Sequence, residues 1–106
     1  MPWVYLIIAG LFEVVWALAM KQSEGFTRPG PTVVTLVAMT ISFALLSLSM
    51  KALPLGTAYT IWTGIGAVGA FLVGIAVLGE PAGGVRILAA LLIVAGLVLM
   101  KLSSPA

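Results

Sequence analysis

Glu13 is a single carboxylic acid near the middle of the first long apolar run, which extends from Trp3 to Met20. A charge at that depth in a membrane costs about 2.5 to 3.5 kcal/mol or more, so such a residue is a candidate for function. Burial in hydrocarbon disfavours the ionised form, so the group holds a proton that a cation can displace. We therefore predict that protons and a cation compete for Glu13, as in an antiporter. The alternative is a protonated Glu that only bonds a neighbouring helix.

Small and aromatic residues lie on the same helical face as Glu13. Gly10 precedes it by three positions and Ala17 follows it by four, so both leave room beside the carboxyl group. Trp16, three positions after Glu13, offers an indole N–H as a hydrogen-bond donor. This spacing predicts that Glu13 and Trp16 belong to one polar site.

The third apolar run carries a stripe of aromatic residues and glycines. Tyr59, Trp62, Gly66 and Gly69 follow the spacing i, i+3, i+7 and i+10, which places them on one helical face. Because the faces of aromatic rings attract cations, this stripe is a candidate second wall of the site. The alternative for Tyr59, and less so for Trp62, is anchoring at the membrane interface.

Glycines crowd the same run and allow two interpretations. Gly64, Gly66, Gly69 and Gly74 permit either close helix packing, which is the commoner explanation, or a place where the helix bends. Bending would suit a transporter that alternates between two conformations. Gly64 and Gly66 are therefore our candidates for helix flexing.

The second and fourth runs contribute fewer candidates. Ser42 either takes part in the site or, like most membrane serines, bonds back to its own helix. The fourth run has no acid and no aromatic residue, but Ala89 and Gly96 lie seven positions apart on it. Seams of small residues let two helices approach closely, so we predict that the fourth helix forms a dimer interface.

Composition decides the fold class. Of the 106 residues, 62% are hydrophobic and only 8% are charged, against about 45 to 50% and about 25% in soluble domains. A span takes about 20 residues, so four spans use most of the chain. We predict an all-α membrane protein with a single transmembrane domain over residues 1–106 and helices at about 3–20, 32–50, 57–78 and 83–100.

The boundaries of these spans follow from proline and from charge. All six prolines lie outside the four runs: Pro2, Pro29, Pro31, Pro54, Pro81 and Pro105. Connections of about a dozen residues or fewer predict that sequential helices are antiparallel neighbours.

A cleavable signal peptide is not expected, since no basic region precedes the first run and Glu13 interrupts it.

Positive charges do not choose an orientation in the membrane. Lys21, Arg28 and Arg86 fall on one side, and Lys51 and Lys101 fall on the other. Basic residues are normally more numerous on the cytoplasmic side of a membrane protein. Three basic residues on one side and two on the other therefore give little preference for either orientation. We expect either one orientation set by other factors or dual topology, in which an inverted copy supplies the second half of a transport site.

The inventory of side chains excludes most other functions. The chain has no Cys, His or Asp, and its only acids are Glu13, Glu24 and Glu80. Disulfides, common metal sites, a Ser-His-Asp triad and a cofactor are therefore not expected, and neither is an enzyme. The basic residues are spread singly, which does not suit nucleic acid.

Four segments carry a family resemblance over essentially the whole chain. They are residues 10–17, with the sequence Gly-Leu-Phe-Glu-Val-Val-Trp-Ala, residues 54–59 leading to Trp62, residues 64–66 and residues 79–81. With these segments the chain resembles the small multidrug resistance family, and within it the guanidinium exporter subtype.

The resemblance implies a proton-coupled exporter of small cations in the bacterial inner membrane, working as an antiparallel homodimer with one shared site. It implies that Glu13 binds protons and substrate alternately, with Tyr59 and Trp62 as pocket aromatics. It also implies that Trp16 and Ser42 orient the carboxylate and that Gly10 lines the pocket. Ala89 is a departure, because drug-exporting relatives often have Gly there.

Guanidinium fits these residues physically. It is planar, cationic and rich in N–H donors, which suits paired hydrogen bonds to a carboxylate and stacking on indole. Two alternatives stay open: export of quaternary ammonium or other lipophilic cations, and a small membrane subunit that transports nothing by itself.

Overall fold

Four α-helices form the protein in the computed structural model, which describes residues 1–103. All four are long and apolar enough to cross a membrane, and no β-strand occurs in the described part of the chain. The predicted all-α membrane fold is confirmed. Pro105 lies outside the described residues. The helices are α1 (Pro2–Gln22), α2 (Pro29–Ser49), α3 (Leu55–Leu78) and α4 (Gly84–Leu102).

Three of the six prolines lie inside the first turns of two helices, although we predicted all six to lie outside the spans. Pro2 is the first residue of α1, and Pro29 and Pro31 lie at the start of α2. The first N–H groups of a helix have no intrahelical partner, so proline costs nothing there. The first connection therefore consists of residues 23–28 and is shorter than expected.

The centre of the packing is α1, which contacts both α2 and α3 along its length. Although α2 and α3 follow one another in the chain, they touch at few positions because α1 lies between them. This departs from the expected packing of sequential helices. The fourth helix packs chiefly against α3.

A single chain is thin. The chain extends 43 × 34 × 16 Å along its principal axes. Its shortest dimension is less than half of either of the other two, so the molecule is flat.

The end of α3 has a defined geometry. Gly79 adopts a left-handed conformation with φ of 68°, and the Glu80 N–H donates to the Gly74 carbonyl at 3.0 Å. A left-handed glycine at the end of a helix reverses the direction of the chain, and here the next residue folds back over the last turns of α3. As a result, the Glu80 side chain lies over Gly74.

Candidate functional site

Glu13 faces α3 at a position where α3 has no side chain. A Cβ atom added to Gly66 would collide with the Glu13 carboxyl group, so a side chain there would displace the carboxyl group. The Oε1 atom of Glu13 is buried and has no hydrogen-bond partner among residues 1–103. Buried polar atoms are normally paired, so this oxygen is free to accept a proton or a cation.

Four aromatic rings from three helices form a continuous row, and one of them, Trp16, follows Glu13 by three positions on α1. The centroid of Phe43 lies 6.3 Å from that of Trp16 and 5.8 Å from that of Trp62. The Tyr59 ring lies 5.6 Å from Trp62. Phe43 is 47% exposed and Tyr59 is 53% exposed, whereas Trp62 is buried, so the row is accessible at these two rings. Ring faces in this arrangement attract a cation.

Ser42 holds three helices together through one hydroxyl group. The Trp62 indole N–H donates to Ser42 Oγ at 2.9 Å, and Ser42 Oγ donates to the Ala9 carbonyl at 2.7 Å. Ser42 is fully buried. The alternative that it bonds back to its own helix is wrong. Its observed partners lie on α1 and α3, and the hydroxyl fixes the Trp62 ring rather than the carboxyl group of Glu13.

Two sequence expectations about α1 differ from the geometry. The indole N–H of Trp16 is buried and has no partner in the described chain, so it does not donate to Glu13. Gly10 does not line an open pocket, because a Cβ at this position would lie 2.6 Å from Ile65 Cγ2. Gly10 instead allows α1 and α3 to approach closely.

Two glycines of α3 contact side chains from different neighbouring helices. A Cβ on Gly64 would collide with Leu97 of α4, whereas Gly66 faces Glu13 of α1. The helix is continuous from Leu55 to Leu78, so in this structure both residues permit close packing. Flexing at these positions remains a prediction.

The predicted seam of α4 is open. Ala89 and Gly96 are both exposed, and a Cβ on Gly96 would meet no atom of the described chain within 4 Å.

Within residues 1–103, no group of three or more acidic, His or Cys side chains could hold a metal ion.

Sequence reasoning missed Phe43. This residue directly follows Ser42 in an apolar helix and resembles its lipid-facing neighbours, so only the ring distances show that it joins Trp16 to Trp62. Glu80 was also treated only as part of a helix end, and nothing in the hydropathy pattern shows that its side chain turns back over α3.

Comparisons with known proteins agree with the fold. Residues 1–93 match the family described as Small Multidrug Resistance protein. A guanidinium exporter of Salmonella typhimurium strain LT2 is 58% identical over 104 residues, which cover 98% of this chain and 99% of the relative. Guanidinium exporters of Citrobacter freundii and Escherichia coli strain K12 are 55% and 54% identical, with the same shares covered.

The four spans and these bacterial relatives define a small multi-pass transporter of the inner membrane. The chain belongs to the small multidrug resistance family.

Proposed function

We propose that the protein exports guanidinium in exchange for protons, with Glu13 from two oppositely oriented copies at one shared site. The observation that carries this proposal is the buried Glu13 oxygen without a partner, held against Gly66. The similarity to guanidinium exporters, at 54 to 58% identity, supports guanidinium as the substrate.

Guanidinium matches the residues around Glu13. A carboxylate accepts two parallel N–H bonds from the planar cation, and an aromatic ring stacks on its flat face. The Trp16 and Trp62 rings and the Phe43 ring between them offer such faces. Trp62 is held in place by Ser42, so the ring is positioned before the substrate arrives.

A second copy completes the site. In a single copy Phe43 and Tyr59 of the aromatic row are exposed, and the buried Trp16 indole N–H has no partner within residues 1–103. An inverted copy facing this row would enclose the substrate between two Glu13 carboxyl groups, which would then titrate as a coupled pair. The exposed seam of Ala89 and Gly96 is the proposed contact between the copies.

Coupling follows from competition for these two carboxyl groups. When they hold protons, the cation has no carboxylate to pair with, and when the cation binds, the protons leave. Because the two copies are inverted, exchanging their conformations moves the site from one side of the membrane to the other. Gly64 and Gly66 are the proposed places where α3 flexes during this exchange.

Purified protein in liposomes tests the proposal. We expect a guanidinium gradient to drive protons in the opposite direction, and we expect Glu13→Gln to reduce this flux to background. Glu24→Gln is the matched control and should keep the flux, since Glu24 lies in the connection between α1 and α2. Proton-coupled flux that survives Glu13→Gln contradicts the mechanism. Flux with quaternary ammonium alone, or with neither cation, supports one of the two alternative functions.

A further inference from the structure

A cavity of about 170 Å³ lies between α1 and α3 near their C-terminal ends. Two charged residues, Lys21 of α1 and Glu80, line it together with small and apolar residues: Ala17, Leu18, Ala70, Val73, Gly74 and Leu78. Since water occupies about 30 Å³ per molecule in the liquid, the cavity has room for several waters. Two charged side chains lie at its outer end, where α1 and α3 stop.

The cavity lies on the same helix faces as the carboxyl group of the site. Ala17 follows Glu13 by four residues on α1, and Ala70 follows Gly66 by four residues on α3. Residues four apart lie one above the other on a helix. The cavity therefore begins one turn beyond the contact between Glu13 and Gly66 and continues toward the membrane surface.

Glu80 is held at the outer end by the backbone. Its N–H bonds to the Gly74 carbonyl at 3.0 Å, and its carboxyl group lies against Gly74, where any side chain would displace it. Lys21 lines the same space from α1. Arg86 of α4 is directed elsewhere, with its guanidinium 5.4 Å from the centre of the Phe71 ring.

We infer that this cavity is the outer part of a water-filled proton path between Glu80, at its mouth, and Glu13, one helical turn beyond its inner end. The inference rests on the proposed exchange of protons at Glu13. From Glu13 to the level of Lys21 is eight residues on α1, or about 12 Å at 1.5 Å per residue. Direct proton transfer requires a contact of about 2.6 to 3.2 Å, so the proton needs intermediate waters.

Each proton that leaves one group on the path is accepted by the next group. A proton released from Glu13 moves along the waters to the Glu80 carboxylate, and Glu80 then releases it to bulk water and becomes a carboxylate again. Uptake is the reverse. In an inverted pair, one such path would open on each side of the membrane.

Stopped-flow measurement of protons released when guanidinium is added to detergent-solubilised protein tests the inference. A pH-sensitive dye gives both the amount released and the rate. We expect Glu80→Gln and Ala70→Leu, which fills the cavity, to slow release on the order of tenfold while the amount stays the same. Glu24→Gln and Ala44→Leu are the matched controls, because both residues are exposed and neither lines the cavity.

Added formate supplies a second readout. A small weak acid that carries protons into the mouth should restore the rate of Glu80→Gln, whereas it should not help Ala70→Leu, whose path is blocked. Release at the wild-type rate by both variants overturns the inference. A slow Glu80→Gln that formate does not restore also contradicts it. Absence of proton release from the wild type contradicts the proposed function instead.

Discussion

The Ser42 hydroxyl group is the polar centre of an otherwise apolar three-helix contact. It accepts from Trp62 and donates to the Ala9 carbonyl, so both of its bonds cross between helices. Inside a membrane such bonds contribute about 0.6 to 2 kcal/mol each, a modest value because the same groups also find partners in the unfolded state. The orientation of the Trp62 ring therefore depends on a single oxygen atom.

Ser42→Ala tests this dependence. We expect a loss of about 1 to 2 kcal/mol in the free energy of unfolding, because the variant leaves the Trp62 N–H buried without a partner. We also expect weaker guanidinium binding, since the ring is no longer fixed. Thermal unfolding in detergent and equilibrium binding measure the two effects. Ser47→Ala, at an exposed position of α2, should change neither; equal losses from both variants would contradict this role.

Among the helices, α3 contacts both α1 and α4 through glycine. Gly66 admits the Glu13 carboxyl group, and Gly64 admits Leu97. The two residues are two positions apart, so they lie on different faces of the helix. A helix with glycine on both faces brings its backbone close to two neighbours, and substitutions on one face should leave the other contact intact.

Gly64→Val should destabilise the protein by about 1 to 3 kcal/mol, because the added side chain collides with Leu97. Leu97→Ala removes the group that it meets, so the double variant should lose clearly less stability than the sum of the two single losses. Thermal unfolding of the two single variants and the double variant measures this coupling. Losses that simply add would mean that the two side chains do not meet.

At the scale of the whole molecule, the thinness of one copy makes a partner necessary for an enclosed site. The exposed seam on α4 offers the contact, and an inverted partner requires the two α4 helices to run antiparallel. If the copies cross at the middle of the seam, Ala89 of one copy lies beside Gly96 of the other. The two Gly96 residues would then lie about 10 Å apart along the axis.

Cysteine cross-linking tests this arrangement, and the chain has no cysteine of its own to interfere. We expect a chain carrying both Ala89→Cys and Gly96→Cys to form disulfide-linked dimers in membranes. Gly96→Cys alone should not, because Cα atoms more than about 7 Å apart cannot be bridged. Leu91→Cys with Val98→Cys, on the opposite face, is the control. Efficient dimers from Gly96→Cys alone would indicate parallel copies.

The four spans and the importance of Glu13 could be predicted from the sequence, because long apolar runs and a lone acid inside one of them stand out. Which helices pack against one another could not be predicted from the sequence. Helices that are apolar on all sides carry no stripe that tells which neighbour each face meets. The bonds of Ser42 and the place of Phe43 depend on how each helix is rotated about its axis, and hydropathy does not specify this rotation.

The thinness of the single copy also bears on how the protein is made. If the proposed inverted pair is the working form, a chain that has just entered the membrane has an incomplete site until it meets another of opposite orientation. Assembly of such a pair follows mass action, so its yield rises with the concentration of both orientations. Cells that insert unequal numbers of chains in the two orientations would accumulate unpaired chains of the commoner orientation. The rarer orientation would then limit the amount of working transporter.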